Sequence, residues 1–326
     1  MTDSSEKKPS LLTTYGKTIE ISVTNTDSLF MRRFCENPEG NPVLMVHGAI
    51  EDSHIFYSES GRGLAPFLAK QGLDVYVADF RGHGGSRPAI SRESRYGQYE
   101  MICQDFPSMM QAIHRERGNI PVSVIAHSWG GVIVSSSLAR FPDIRDSVSS
   151  LVYFGSKRVV RARNIQKFLK IDLMWKLVGA MLCRLYGYLP ARRFSMGADN
   201  ETLGYFREGH HWIRPGDWTD PRDSFNYAAA AAEALFPPAL FFAGAGDRCL
   251  GYPGDVRAFL DEHGADQPFQ FLLLSRENGN LLNYGHIDML VEEGAIRDHF
   301  PPIAQWLLNP LAPHIPNPSP LPSPLR

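Results

Sequence analysis

The sequence predicts an α/β protein: a mostly parallel eight-stranded sheet flanked by helices, with a helical cap inserted into it. Three observations carry that expectation. Short apolar runs alternate with helix-length stretches from residue 43 to 155, the pattern of right-handed crossovers on a parallel sheet. A stretch of about 80 residues, 156–235, then shows helical patterning and no strong strand. After residue 236 the strand–helix alternation resumes.

The elements follow in order. Residues 1–15 read as a loose, polar leader, and 17–35 alternate apolar and polar side chains (Ile19, Ile21, Val23) as an antiparallel strand pair does. The run 43–46 is a short buried strand ending at His47-Gly48; 64–70 is a helix; 74–79 is a strand entering the glycine-rich turn 81–86. A helix over 96–117 leads to the strand 122–126, a helix follows to about Phe141-Pro142, and 148–154 is the sixth strand. Beyond the cap, 239–243 and 269–274 are strands, 253–263 is a helix, and 287–308 holds one or two more. The tail 309–326 has seven prolines in 18 residues and cannot build a packed core, so it reads as extended or disordered. Within the cap, Ile171, Met174, Trp175, Val178, Met181, Leu182 and Leu185 fall near one helical face. Packing over the active site is the simpler reading of that face, and a surface that admits or contacts lipid is the alternative.

Composition narrows the function classes. A net charge of −2 gives no reason to expect nucleic acid or an anionic membrane as partner. The four cysteines, at 35, 103, 183 and 249, have neither metal-ligand spacing nor the density of a disulfide framework. Residues 1–10 lack the apolar core of a signal peptide, and every apolar stretch long enough to span a membrane is interrupted by charge. Together these point to a reduced, cytoplasmic protein that needs no metal and no organic cofactor.

The chemistry sits at Ala126-His127-Ser128-Trp129-Gly130-Gly131. Small residues flank a serine between an apolar strand and a helix, the layout of a tight turn that lifts a hydroxyl to the top of a sheet. A serine alone is a poor nucleophile, so a base and an orienting acid must follow. The strand 240–243 runs into Gly244-Ala245-Gly246-Asp247, which presents a carboxylate at a strand end. One strand later comes Tyr284-Gly285-His286-Ile287-Asp288. Ser128, Asp247 and His286 are therefore the expected catalytic set. Asp288 is the rival acid, better explained as a helix cap. His47, His83 and His127 are better explained as braces of turns, and Cys249 as a small packed residue. Two backbone amides must hold a developing oxyanion, and Trp129 and Ala49 are the candidates. His210 and His211 are expected to be surface or packing residues.

On these residues the chain resembles the α/β-hydrolase superfamily, in particular its serine esterase and lipase-like members. The resemblance rests on V-H-G (46–48), D-F-R-G-H-G-G-S (79–86), A-H-S-W-G-G (126–131), G-A-G-D (244–247) and Y-G-H-I-D (284–288). It implies a core of residues 16–155 and 236–308, a structural role for the 79–86 turn, and the order Ser128, Asp247, His286. It also implies hydrolysis of a small ester or lipid-like substrate with a hydrophobic acyl group. Thioesters, amides and acyl transfer would use the same parts. A non-catalytic ligand-binding protein on the same fold is the remaining alternative, and its expected mark is a broken triad or a blocked elbow.

Overall fold

The computed structural model describes residues 15–310 apart from Asp217. The expected leader before Tyr15, and the proline-rich tail after Pro310, lie outside the described residues. Tyr15, assigned to that leader, is the first residue of a strand.

Among the described residues, ten strands form two sheets. In chain order they are β1 (Tyr15–Ser22), β2 (Ser28–Cys35), β3 (Pro42–Val46), β4 (Asp74–Ala78), β5 (Val122–His127), β6 (Val148–Phe154), β7 (Tyr188–Leu189), β8 (Glu201–Thr202), β9 (Ala239–Gly244) and β10 (Phe269–Leu274). Eight of them make the expected sheet, ordered β1-β2-β4-β3-β5-β6-β9-β10. β2 runs antiparallel to both of its neighbours, β1 and β4, and every other pairing is parallel. β3, β4 and β5 are buried along their whole length. Leu44 and Val46 join one hydrophobic cluster with Val124 and Ala126, while Val43 and Met45 join another with Val75 and Ile125. Both faces of the sheet are therefore covered, which is why these strands read as unbroken apolar runs.

This order places the site. The chain leaves β3 toward β4 on one side and later returns to β5 on the other side. The carboxyl ends of β3 and β5 thus flank a point where the connections diverge, the crevice that ligands occupy in open α/β sheets. The turn after β4 braces one wall. Asp79 accepts the Ser53 N–H at 2.6 Å and the Gly85 N–H at 2.8 Å. The Arg81 guanidinium donates to buried Asp105 at 2.7 Å. That network fits a structural role for residues 79–86.

The chain between β6 and β9 departs from the expectation in two ways. It contains two short strands: β7 and β8 pair antiparallel. Two residues each is too little for a periodicity to register in sequence. The apolar helix also faces two ways. It runs through Ile165–Lys167, a π-helical stretch Phe168–Gly179, and Ala180–Tyr186. Ile171 and Leu182 are buried, whereas Met174, Met181 and Leu185 are exposed. The single inward face inferred from spacing is thus corrected. A π-helix bonds i to i+5, so side chains three and four apart no longer stack as they do on an α-helix.

Candidate active site

β5 delivers Ser128 into a turn where its backbone adopts φ 52° and ψ −125°. A positive φ on a residue with a side chain stores strain of roughly 1–3 kcal/mol, which persists only where the surroundings enforce it. The helix Trp129–Arg140 begins at the next residue. Gly130 is required by contact, because a Cβ there would run into the His47 carbonyl oxygen. At Gly48 a Cβ would sit 2.7 Å from that of Ser128, so the loop after β3 packs directly on the serine turn.

The three expected side chains meet. Asp247 closes the turn after β9, and His286 lies in the loop after β10. His286 Nδ1 is 2.7 Å from Asp247 Oδ2, and His286 Nε2 is 2.9 Å from Ser128 Oγ. The carboxylate accepts only, so Nδ1 carries the proton and Nε2 is free to accept from the Ser128 hydroxyl. Burial pushes Asp247 up, but the His286 hydrogen bond and charge outweigh it and hold the carboxyl below its usual range. Asp247 Oδ1 also accepts the Cys249 N–H at 3.1 Å, so Cys249 contributes through its backbone. Asp288 turns elsewhere: its carboxylate accepts the Gly285 N–H at 3.1 Å at the head of the helix Asp288–Val291.

A second carboxylate–histidine pair lies against the first, and sequence reasoning missed its acid. His127 Nδ1 donates to Glu51 Oε2 at 2.8 Å, and His127 Nε2 donates to the His286 carbonyl oxygen at 3.1 Å. Both partners are acceptors, so His127 needs both ring protons and is a buried imidazolium. Burial pulls its pKa down, yet Glu51 outweighs that and raises it. Glu51 is correspondingly held below its usual range, despite its burial, by the His127 charge. The same Glu51 oxygen accepts the Gly48 N–H at 2.8 Å, and Glu201 accepts the Ile50 N–H at 2.8 Å. The amide between them, on Ala49, has no acceptor among the described residues, and neither has the Trp129 backbone N–H. Ile50, like Ser128, is held at positive φ. The loop after β3 is thus pinned on both sides of one free amide. The nearest thing to a sequence signal for Glu51 was an acidic pair, Glu51-Asp52, that begins three residues past Gly48.

Glu51, His127 and His286 bring possible metal-ligand atoms within 4.8 Å of one another. Every ring nitrogen of the two histidines is already in a hydrogen bond, so an ion there would have to break the network just described.

Ser128, His286, Ala49 and Trp129 all line a cavity of about 530 Å³. The rest of its lining is mainly apolar and includes Val160, Ile171, Trp175, Ile213 and Leu250. His210 does not line it, while Trp212 is buried and its indole donates to the Thr219 carbonyl at 3.0 Å. All four cysteines are free thiols. Among the described residues no helix is long and apolar enough to cross a membrane.

Comparison with known proteins adds the family context. The profile of a family described as alpha/beta hydrolase fold matches residues 41–180. A probable lipase of Schizosaccharomyces pombe is 24% identical over 149 residues, which are 43% of this chain and 33% of that protein. Bifunctional epoxide hydrolase 2 of Sus scrofa is 30% identical over 120 residues, 36% of this chain and 19% of that one. The chain thus spans a third or less of the length of these curated relatives. Among solved structures, the esterase RhEst1 from Rhodococcus sp. ECU1013 superposes with a TM-score of 0.56 at 16% identity, covering 90% of this chain and 98% of that one.

Proposed function

We propose that this chain is a serine hydrolase of the α/β-hydrolase superfamily and that it cleaves carboxylic esters of hydrophobic acyl groups. One observation carries the reading: a serine, a histidine and an aspartate from three separate loops form a continuous hydrogen-bonded line at 2.9 and 2.7 Å. A protein that only bound ligand on this fold would have no need of that line.

The chemistry follows from the geometry. Ser128 Oγ attacks the acyl carbonyl while His286 Nε2 takes its proton, and Asp247 holds the imidazole in the required tautomer and stabilises its charge. The carbonyl oxygen becomes an oxyanion held by the Ala49 and Trp129 amides. Each such donor contributes roughly 3 kcal/mol to the transition state. His286 then gives the proton to the departing alcohol, leaving an acyl group on Ser128. Water, deprotonated by His286, releases the acid. The segment 156–235 serves as a cap: Ile171 and Trp175 from it line the cavity that takes the acyl chain.

A fluorophosphonate probe is expected to label the chain at Ser128, read by mass spectrometry of the modified peptide. Aryl esters from acetate to laurate should show KM falling by up to about fourfold per methylene until the cavity is filled, the factor that about 0.8 kcal/mol per buried CH₂ gives. Failure of the probe to label Ser128 would remove the reading.

The pH dependence has a definite sign. Burial lowers the His286 pKa below 6.5, the adjacent His127 charge lowers it further, and the Asp247 bond opposes without offsetting them. The base works only when neutral, so kcat/KM should be at its plateau near neutrality and lost as pH falls through a midpoint below 6.5. A kcat/KM profile on a short-chain aryl ester measures that midpoint, and one above 6.5 contradicts the environment assigned to His286.

A further inference from the structure

The helical stretch 165–186 turns one face to the cavity and leaves the other without a packing partner among the described residues. Ile171 and Trp175 line the cavity. Ile165, Phe168, Leu177, Met181 and Leu185 are each more than half exposed to solvent. An exposed row of large apolar side chains on a single helix is rare on a soluble surface and marks a contact site. The charges around it are one-sided. Residues 161–194 carry eight Lys and Arg against a single acid, Asp172. Asp172 is already bridged by Lys167 at 2.6 Å and Lys176 at 2.9 Å. The charged residues of this stretch that are exposed are all basic: Arg161, Arg163, Lys170, Arg184, Arg192 and Arg193. The net charge of −2 for the whole chain conceals this asymmetry.

We propose that this face docks on an anionic lipid bilayer, with the apolar row seated among the acyl chains and the basic side chains on the headgroups. An apolar face ringed by lysine and arginine is the composition of helices that lie in a membrane interface. A second copy of this chain would bring the same basic side chains against each other, so charge complementarity favours lipid over self-association. The docking deepens the hydrolase reading and rests on it for its consequence: the helix that meets the lipid is also a wall of the acyl cavity, so the substrate class is an ester drawn from a membrane.

Binding is measured apart from catalysis by using the Ser128→Ala chain, which leaves the vesicle lipid intact. It should co-sediment with phosphatidylcholine vesicles containing phosphatidylserine, and not with phosphatidylcholine alone or in high salt. Adding Leu177→Asp and Met181→Asp should weaken partitioning at least tenfold, the factor expected from removing even one buried leucine-sized side chain. With Ser128 restored, the same two substitutions should leave hydrolysis of a soluble short-chain aryl ester unchanged, since neither residue lines the cavity. Absence of vesicle binding by the Ser128→Ala chain overturns the docking whatever the esterase assay gives. So does a dimer, seen by size-exclusion with light scattering, that the double substitution disperses. Loss of ester hydrolysis by the double variant would contradict its place outside the active site. An inactive wild type with intact vesicle binding would instead count against the hydrolase reading alone.

Discussion

Replacing Ser128 by alanine is expected to lower kcat/KM on the preferred aryl ester by about a millionfold, the loss seen where a serine nucleophile is removed from an intact triad. The reasoning is local. Ser128 Oγ is the atom 2.9 Å from His286 Nε2, and no other hydroxyl reaches that nitrogen among the described hydrogen bonds. Alanine keeps the turn and its strain, because any residue with a Cβ meets the same penalty at φ 52°. Stability should therefore change little, and the loss is chemical. Glycine at the same position is the useful contrast. It should be equally inactive, yet more stable by about 1 kcal/mol or more, since the turn conformation carries no steric penalty without a Cβ. Thermal unfolding compared across the wild type and both variants reads the strain, and ester hydrolysis reads the nucleophile. An alanine variant retaining one part in a hundred of the activity would place the nucleophile elsewhere.

The frame and the line Ser128–His286–Asp247 were legible because each leaves a one-dimensional mark. A strand covered on both faces, such as Val43 to Val46, is apolar without interruption. A tight turn between strand and helix requires small residues, as at Ala126 and Gly130. The acid and the base each follow directly on an apolar run. What stayed hidden depends on neighbours distant in the chain. Glu51 and His127 are 76 positions apart and meet only because β3 and β5 are adjacent in the sheet. The tether from Glu201 to the Ile50 amide crosses 151 positions. The outward face of the 165–186 helix was concealed by geometry of another kind. Met181 and Leu185 share an apolar spacing with Ile171, and hydrophobicity alone cannot say which side meets the protein once the turns widen to π-helical pitch.

Asp247→Asn should be the most informative change after the nucleophile, with an expected fall in kcat of about 10,000-fold. The amide is almost isosteric, and one of its atoms can still accept the Cys249 N–H that fixes Asp247 Oδ1. The side chain would then keep its place while offering an NH₂ group to His286 Nδ1. A donor facing Nδ1 selects the tautomer whose proton is on Nε2, and that nitrogen can no longer accept from Ser128. The neighbouring Glu51–His127 pair cannot substitute. Its contact with His286 is through the backbone carbonyl, at 3.1 Å from His127 Nε2, and leaves the imidazole proton unassigned. Removing the Asp247 charge also removes the largest influence that raises the His286 pKa, leaving only the weaker Glu51 charge, so the acid limb of any residual activity should move still lower in pH. A combined result is therefore expected: a large loss in kcat, a midpoint displaced downward, and KM little altered, because Asp247 is not among the residues that line the cavity. A loss below tenfold would show that another carboxylate orients His286. Glu51 would be the first to test, since its oxygen already lies within 4.8 Å of the His286 ligand atom in the cluster they share with His127.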